Sequence, residues 1–598
     1  MLNKVMKIKY LLILLLFVSF TTTLFSQFKA EIIVPERIKS GENVTIVVNI
    51  LNEDNTINTN LTDDFVVSSD FASLNNNIVS IKKGKGSLTT QIITDNNFEL
   101  FIENFIGHAT VILNNSIPEI VINGNISQNE YWTSDYDYYI TDDLTISEGV
   151  EVRIEKGMKI FLGENVNVFV DGKITAEGTI NKPILFSSVQ WELSWGGIEI
   201  NSLNDTSQIQ YCFFTNGGGN PDFLFGHSNS QAVIKVNNSY LEAKSCFFID
   251  NKGKALGSTL SNISLDNCLI SRCDMGGEFH NSIVNISNTY VLEIPNDDGI
   301  IVDDDNDCFY FYGVFPNSNE SSAVENSVLI SGKDDGIDHN GANLKISNCW
   351  IENFFHEGIA CSNQNFVEII NTLVKGCEQG IEAGYGSPQV YVDHCVSVEN
   401  EIGLRFGDSY TTGCTGQMSV MNTIVYGNDD NIRNFDLATQ DSVSNGIMIS
   451  YSITNDEDYN NYPHCISGIP IFDNDFGLMP GSPGIGMASD GSNMGLLSDT
   501  ISPIEYYYID NEKCFIQNFP NPFYSNTKIE YVIPFDGVVE VSVLNLNNEL
   551  IKKFIRKHEQ PGKYSIKWEP QNISAGIYFL SLKLNGILTQ TRKTILLK

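Results

Sequence analysis

The chain has 598 residues, with 73 acidic against 36 basic side chains and a formal net charge of −37. Such a charge repels nucleic-acid phosphates and so excludes a nucleic-acid partner, leaving cations and neutral or weakly charged ligands. The length has room for three or four domains. Abundant Gly, Asn and β-branched residues without long amphipathic helical patterns make the chain all-β.

Lys4, Lys7 and Lys9 precede an apolar run over residues 11–20, and residues 21–26 lead to Gln27, the layout of a cleavable secretory signal peptide over 1–26. Leu24 departs from the small residue expected three positions before the cut. The run is too short for a membrane span and no later stretch reaches eighteen apolar residues, so the mature chain is expected without a transmembrane segment. Residues 27–115 carry short alternating stretches at about ten-residue intervals (32–35, 44–50, 81–92) around a turn at Ser40-Gly41, the pattern of an immunoglobulin-like sandwich serving as a spacer.

Between 116 and 505 the chain repeats. One column holds the small residues Cys246, Cys268, Thr289, Ser327, Cys349, Thr372, Cys395 and Thr423, with basic steps of 21 to 23 residues. A second holds Gly277, Gly299, Gly336, Gly358, Gly380 and Gly403, usually followed by Ile or Leu. A 22-residue period is too short for helix-pair repeats and the leucine-rich pattern is missing, so a parallel β-helix is expected, with like residues stacked at ~4.8 Å. The cysteine column then reads as a buried ladder of small side chains. No CxxC spacing points to zinc.

Three rungs are longer than the rest, and the surplus is placed most simply after the Gly-Ile position, near 217–230, 303–318 and 407–416, on one edge that would wall a groove. The same edge is acidic. Asp297, Asp334, His356, Glu378 and Glu401 form one column, Asp298, Asp335, Glu357 and Gln379 the next, and Asp338, Glu382 and Arg405 a third. Stacked carboxylates repel unless a cation or substrate lies between them, so calcium is a candidate for Asp298, Asp335, Asp338 and Glu357. Tyr310 and Tyr312 offer rings for a sugar, with Asp334, Asp335, His356 and Glu357 as its polar contacts. Asp338 and Glu382, two rungs apart, match the carboxyl separation of an inverting glycosidase, and Arg405 follows one rung on. Turn geometry alone also favours Asp at such positions. Asp303, Asp305 and Asp307 imitate an EF-hand start, but Cys308 and Val314 break the motif.

Residues 512–598 open with Phe515-Ile-Gln-Asn-Phe-Pro-Asn-Pro-Phe523 and continue through alternating stretches to Ser574-Ala-Gly-Ile-Tyr578. Together these resemble the type A sorting domain of the type IX secretion system of Bacteroidetes. The resemblance implies a C-terminal β-sandwich, the secretion machinery as a partner, and an extracellular or outer-membrane-surface location. Residues 119–126, Trp132, residues 144–152 and 177–187, and Trp195-Gly-Gly-Ile198 resemble the first coils of bacterial right-handed β-helix surface proteins, with residues 478–485 and Gly495 resembling their exit. Residues 333–338 and 355–360 also resemble the β-helix beside spore-coat-protein-H-type kinases, but nothing after residue 430 resembles that kinase, so its activity is not carried over. Two functions stand: an exported protein that binds or cleaves polysaccharide, as a lyase or glycoside hydrolase, along the acidic groove; or a non-catalytic surface adhesin or spacer.

Overall fold

The computed structural model describes residues 28–202, 205–294, 305–407, 414–434, 446–459, 462–497, 515–533, 537–545, 550–558, 562–570, 573–584 and 587–597. The signal-peptide reading therefore lies outside the described residues. Among the described residues there is no α-helix, only a 3-10 turn at Pro221–Phe223, and no helix long and apolar enough to cross a membrane.

Near the N-terminus, one sheet pairs Lys29–Ile33, Glu42–Leu51, Lys85–Thr94 and Ala72–Leu74, and a second joins Arg37–Ile38, Ala109–Leu113, Phe98–Ile102, Asp63–Ser69 and Ile78–Ile81. Ile46, Val48 and Ile92 from the first meet Val67, Leu100 and Val111 from the second in a common core. Period-two alternation would leave the other face of Glu42–Leu51 wet, yet Thr45, Val47 and Asn49 are buried too. The reason is that this face lies against the repeat region. Thr89 Oγ1 donates to Asp250 Oδ2 at 2.5 Å, Arg272 Nη2 to Ser87 Oγ at 3.1 Å, and the Tyr290 hydroxyl to the Lys83 carbonyl at 3.0 Å.

Lys85 is trapped in this contact. It is 1% exposed, its ammonium lies 4.8 Å from the Tyr290 ring centroid, and burial pushes it down to about 8. Between about pH 8 and 10.5 the unfolded chain holds the proton and the folded one does not, so stability should rise with pH across that window. At neutral pH the full penalty applies, about 3 kcal/mol from the size of the shift. Lys85→Met should raise the melting temperature at pH 7 and flatten its rise above pH 8; a wild-type melt that does not move between pH 8 and 10 would refute this.

From Glu119 to Thr454 the chain winds into a parallel β-helix of three sheets with 14, 13 and 13 strands, each rung giving one strand to each sheet. In the second sheet Ile337, Ile359, Ile381, Leu404 and Ile432 stack directly on one another and point inward. The small-residue column is a hydrogen-bonded ladder at the turn into the first sheet. The amide of Cys268 donates to Thr289 Oγ1 at 3.3 Å, that of Thr289 to Ser327 Oγ at 3.1 Å, and that of Cys395 to Thr423 Oγ1 at 3.2 Å. Only a short side chain with an acceptor atom one bond from Cβ fits there, and the residue before it turns the chain in the left-handed region, as Asn267, Asn288, Asn326, Asn348, Asn371 and Asn422 do. The described cysteines are all free.

Two expectations are corrected. Gly299, which the sequence places in the glycine column, lies outside the described residues; the described second-sheet strand between Thr289 and Ser327 is Phe309–Tyr312, with Phe309 paired to Gly277 and Ile337. Cys308 thus occupies the glycine column and its neighbours Asn306 and Asp307 join the acidic columns, while Asp297 and Asp298 lie outside the described residues. Nor do the insertions share one edge. Residues 216–231 and 295–308 precede the second-sheet strands of their rungs, whereas 407–416 follow theirs. Repeat length counts the extra residues but does not say which turn of the rung absorbs them.

The C-terminal residues form a separate compact unit from Tyr506 onward. Sheets Phe515–Phe519, Thr527–Ile533, Gly562–Trp568 and Leu550–His558, Gly537–Leu544, Gly576–Leu584, Ile587–Leu596 enclose Ile529, Tyr531, Val541, Trp568 and Leu580.

Candidate functional site

The outward ladder of the second sheet runs Phe169, Glu199, Lys235, Gly257, Glu278, Tyr310, Asp338, Ala360, Glu382, Arg405, Arg433. Asp338 and Glu382 thus stand two rungs apart, ~9.6 Å between backbones, with only the Ala360 methyl between them. Arg405 is the next member. Beside this ladder, in the turn that enters the sheet, a second column runs Asp307, Asp335, Glu357, Gln379, and a third Asn306, Asp334, His356, Glu378, Glu401.

The turn columns form one network. The Glu357 amide donates to Asp335 Oδ1 at 2.7 Å, His356 Nδ1 lies 2.7 Å from Glu357 Oε2, and Gln379 Nε2 donates to Glu357 Oε1. Gln379 Oε1 accepts from Arg405 Nη1 at 2.7 Å, and that nitrogen is 3.8 Å from Glu382 Oε1. Burial acts against charge on Glu357, yet His356 and Asp335 bonded to it hold its carboxyl below the ordinary range. In return His356 is raised to about 9 by its bond to Glu357. Asp335 lies farther from the imidazole, 3.9 Å from Nδ1, and burial, then Glu357 and Asp334, push its carboxyl well up.

Upstream, residues 216–231 fold over the sheet. Phe225 covers Gly257, where a Cβ would meet its ring at 3.2 Å. Lys254 Nζ donates to the Phe225 carbonyl at 2.5 Å and pairs with Glu278 Oε2 at 2.5 Å, both side chains fully buried. Glu278 Oε1 accepts from the His227 amide at 2.7 Å. His227 then stacks on Tyr310, centroids 4.6 Å apart and planes 17° off parallel. Tyr310 is consequently covered, while Tyr312 keeps an exposed ring, as do Phe355 and Tyr385 nearby.

Two groups of side chains place one ligand atom each within 4.8 Å of the others: His227, Asp307 and Asp338; and Asp334, Asp335 and His356. The calcium set expected from the sequence is thereby divided. Asp338 belongs to the first group and Asp335 to the second, Glu357 is engaged by His356 and Gln379, and Asp298 lies outside the described residues. His227, Glu278 and Lys254 escaped the sequence reading, since His227 sits in an insertion with no periodicity and the other two look like ordinary strand residues. Asp307 was visible only as part of the failed EF-hand run.

The family model for a secretion system C-terminal sorting domain matches residues 517–597. No curated protein sequence matches the chain. Among solved structures the chain is similar to a mutant PL6 family alginate lyase (12% identity, TM-score 0.41, 69% of this chain and 58% of that one) and to the catalytic unit of a GH87 alpha-1,3-glucanase from Streptomyces thermodiastaticus (9%, 0.30, 74% and 97%). An alginate lyase from Paenibacillus sp. aligns at 13% identity and TM-score 0.20 over 48% of this chain and 91% of its own. The chain thus spans little more than half the length of the first of these. The sorting domain makes this an exported chain, bound for the cell surface or beyond it.

Proposed function

We propose that this exported chain binds an extended, uncharged glycan over the outer face of the second sheet and hydrolyses it in the slot between Asp338 and Glu382. The observation that carries the reading is the slot itself: two half-buried carboxyls on one ladder, separated by a single rung whose side chain is a methyl. Two rungs, less the reach of the two side chains toward each other, fall in the ~6.5–9.5 Å range that leaves room for a water opposite the leaving group. One carboxyl protonates the glycosidic oxygen while the other draws a proton from that water.

The surroundings favour hydrolysis over elimination. Elimination needs an uncommitted base over the sugar, but Arg405 is bonded to Gln379 beside Glu382, and Lys254 is sealed against Glu278. A uronate chain would also have to lay its carboxylates near the more exposed Glu378 and Glu401, at a repulsive cost. Exposed Tyr312 and Tyr385 give rings on which neutral sugars can stack.

A reducing-end assay on a panel of neutral glycans tests this. Asp338→Asn and Glu382→Gln should each lower kcat on the order of 10³-fold with little change in melting temperature, and the product anomer should be inverted. Unsaturated products would turn the reading to a lyase. Binding without turnover, unaffected by either substitution, would leave an adhesin.

A further inference from the structure

We propose that His227, Asp307 and Asp338 are the protein ligands of a divalent cation of the zinc and manganese class. The ligand atoms converge within 4.8 Å. The independent observation is Asp307: its side chain is 1% exposed and neither carboxylate oxygen has a hydrogen-bond partner. A carboxyl so placed is costly unless something positive binds it. His227 Nδ1 lies 3.9 Å from Asp307 Oδ2, too long for a hydrogen bond and suited to two ligands of one ion.

The histidine is held for the task. Stacking on Tyr310 fixes its ring plane, and the Glu278 bond to its amide fixes its backbone. Asp305 Oδ1, 3.6 Å from Nε2, stands where an outer carboxylate orients a metal-binding imidazole. Below, the Lys254–Glu278 pair anchors the insertion that carries it. An imidazole among the ligands shifts the preference away from calcium, which takes oxygen, toward ions that accept nitrogen and carboxylate together. Three protein ligands leave positions for water or a sugar hydroxyl.

The cation adds to the glycan reading. A metal-bound Asp338 stays ionised, so the proton donor of the slot becomes Glu382 and the water is activated at the Asp338 end. This assignment of roles rests on the hydrolase reading; the metal site itself rests on the side chains alone.

The test needs no glycan. Chelator-treated full-length protein is titrated with zinc, manganese or calcium chloride and followed by calorimetry and thermal melts. Zinc or manganese should bind with one-to-one stoichiometry and raise the melting temperature, since the folded state alone presents the site. Asp307→Asn and His227→Ala should each weaken binding at least tenfold, with the metal-free melt of Asp307→Asn unchanged or higher. Equal affinity in wild type and both variants, stabilisation by calcium alone, or no binding of any of the three ions would overturn the site. Metal binding without glycan cleavage would sink the hydrolase reading and leave the site standing.

Discussion

Replacing Ile359 with aspartate should abolish the cooperative melt of the β-helix. Ile359 is fully buried, stacked between Ile337 on one rung and Ile381 on the next, with no polar partner in the interior column. An aspartate there buries a charge with no counterion and removes the packing of a branched side chain, a cost of about 3 kcal/mol or more. Each rung rests on its neighbours, so local loss propagates along the coil. Leu404→Asp, two rungs further on, should behave alike. Glu401→Gln, on an exposed side chain of an adjacent turn, should shift the melt by less than about 0.5 kcal/mol. Wild-type melts for both core variants would show that the inward column is wrongly placed.

Deleting residues 512–598 should leave the remaining chain folded and stop it from reaching the cell surface. The C-terminal unit closes its own core around Val541, Trp568 and Leu580, and the chain before it is a compact unit in its own right. Its matched family is a sorting domain, so its loss removes the address and no part of the slot. The truncated protein should accumulate in the periplasm with the β-helix melting transition of the full chain. Surface labelling of the truncated protein in intact cells would refute the export reading, and aggregation would refute the independence of the two units.

Sequence periodicity carried far because a β-helix is nearly one-dimensional. A 22-residue step fixes which residues stack, so the Ile337–Leu404 column, the Cys/Thr/Ser ladder and the two-rung spacing of Asp338 and Glu382 were legible from counting alone. The sorting domain was legible for another reason: its motifs stand in order within a short segment.

Counting failed where a rung departs from the period. Gly299-Ile300 matched the glycine column by spacing but lies outside the described residues, and in the described strand of that rung Phe309 and Phe311 point inward to pack in the core while Tyr310 faces out. The spacing did not point to Asp307, and Asp298, which it did point to, lies outside the described residues. Equally, nothing local marks His227 as a neighbour of Asp307 and Asp338, some 80 and 111 positions later in the chain. The sequence by itself determined the coil, its inward and outward faces, and the chain's export, since these follow from repeat length and contiguous motifs. The tertiary structure alone decided which insertion folds over which rung, and so which carboxyl is sealed without a partner and which imidazole faces it: a loop's path is set by long-range packing, here the buried Lys254–Glu278 pair and the Tyr310 ring, that no local pattern encodes.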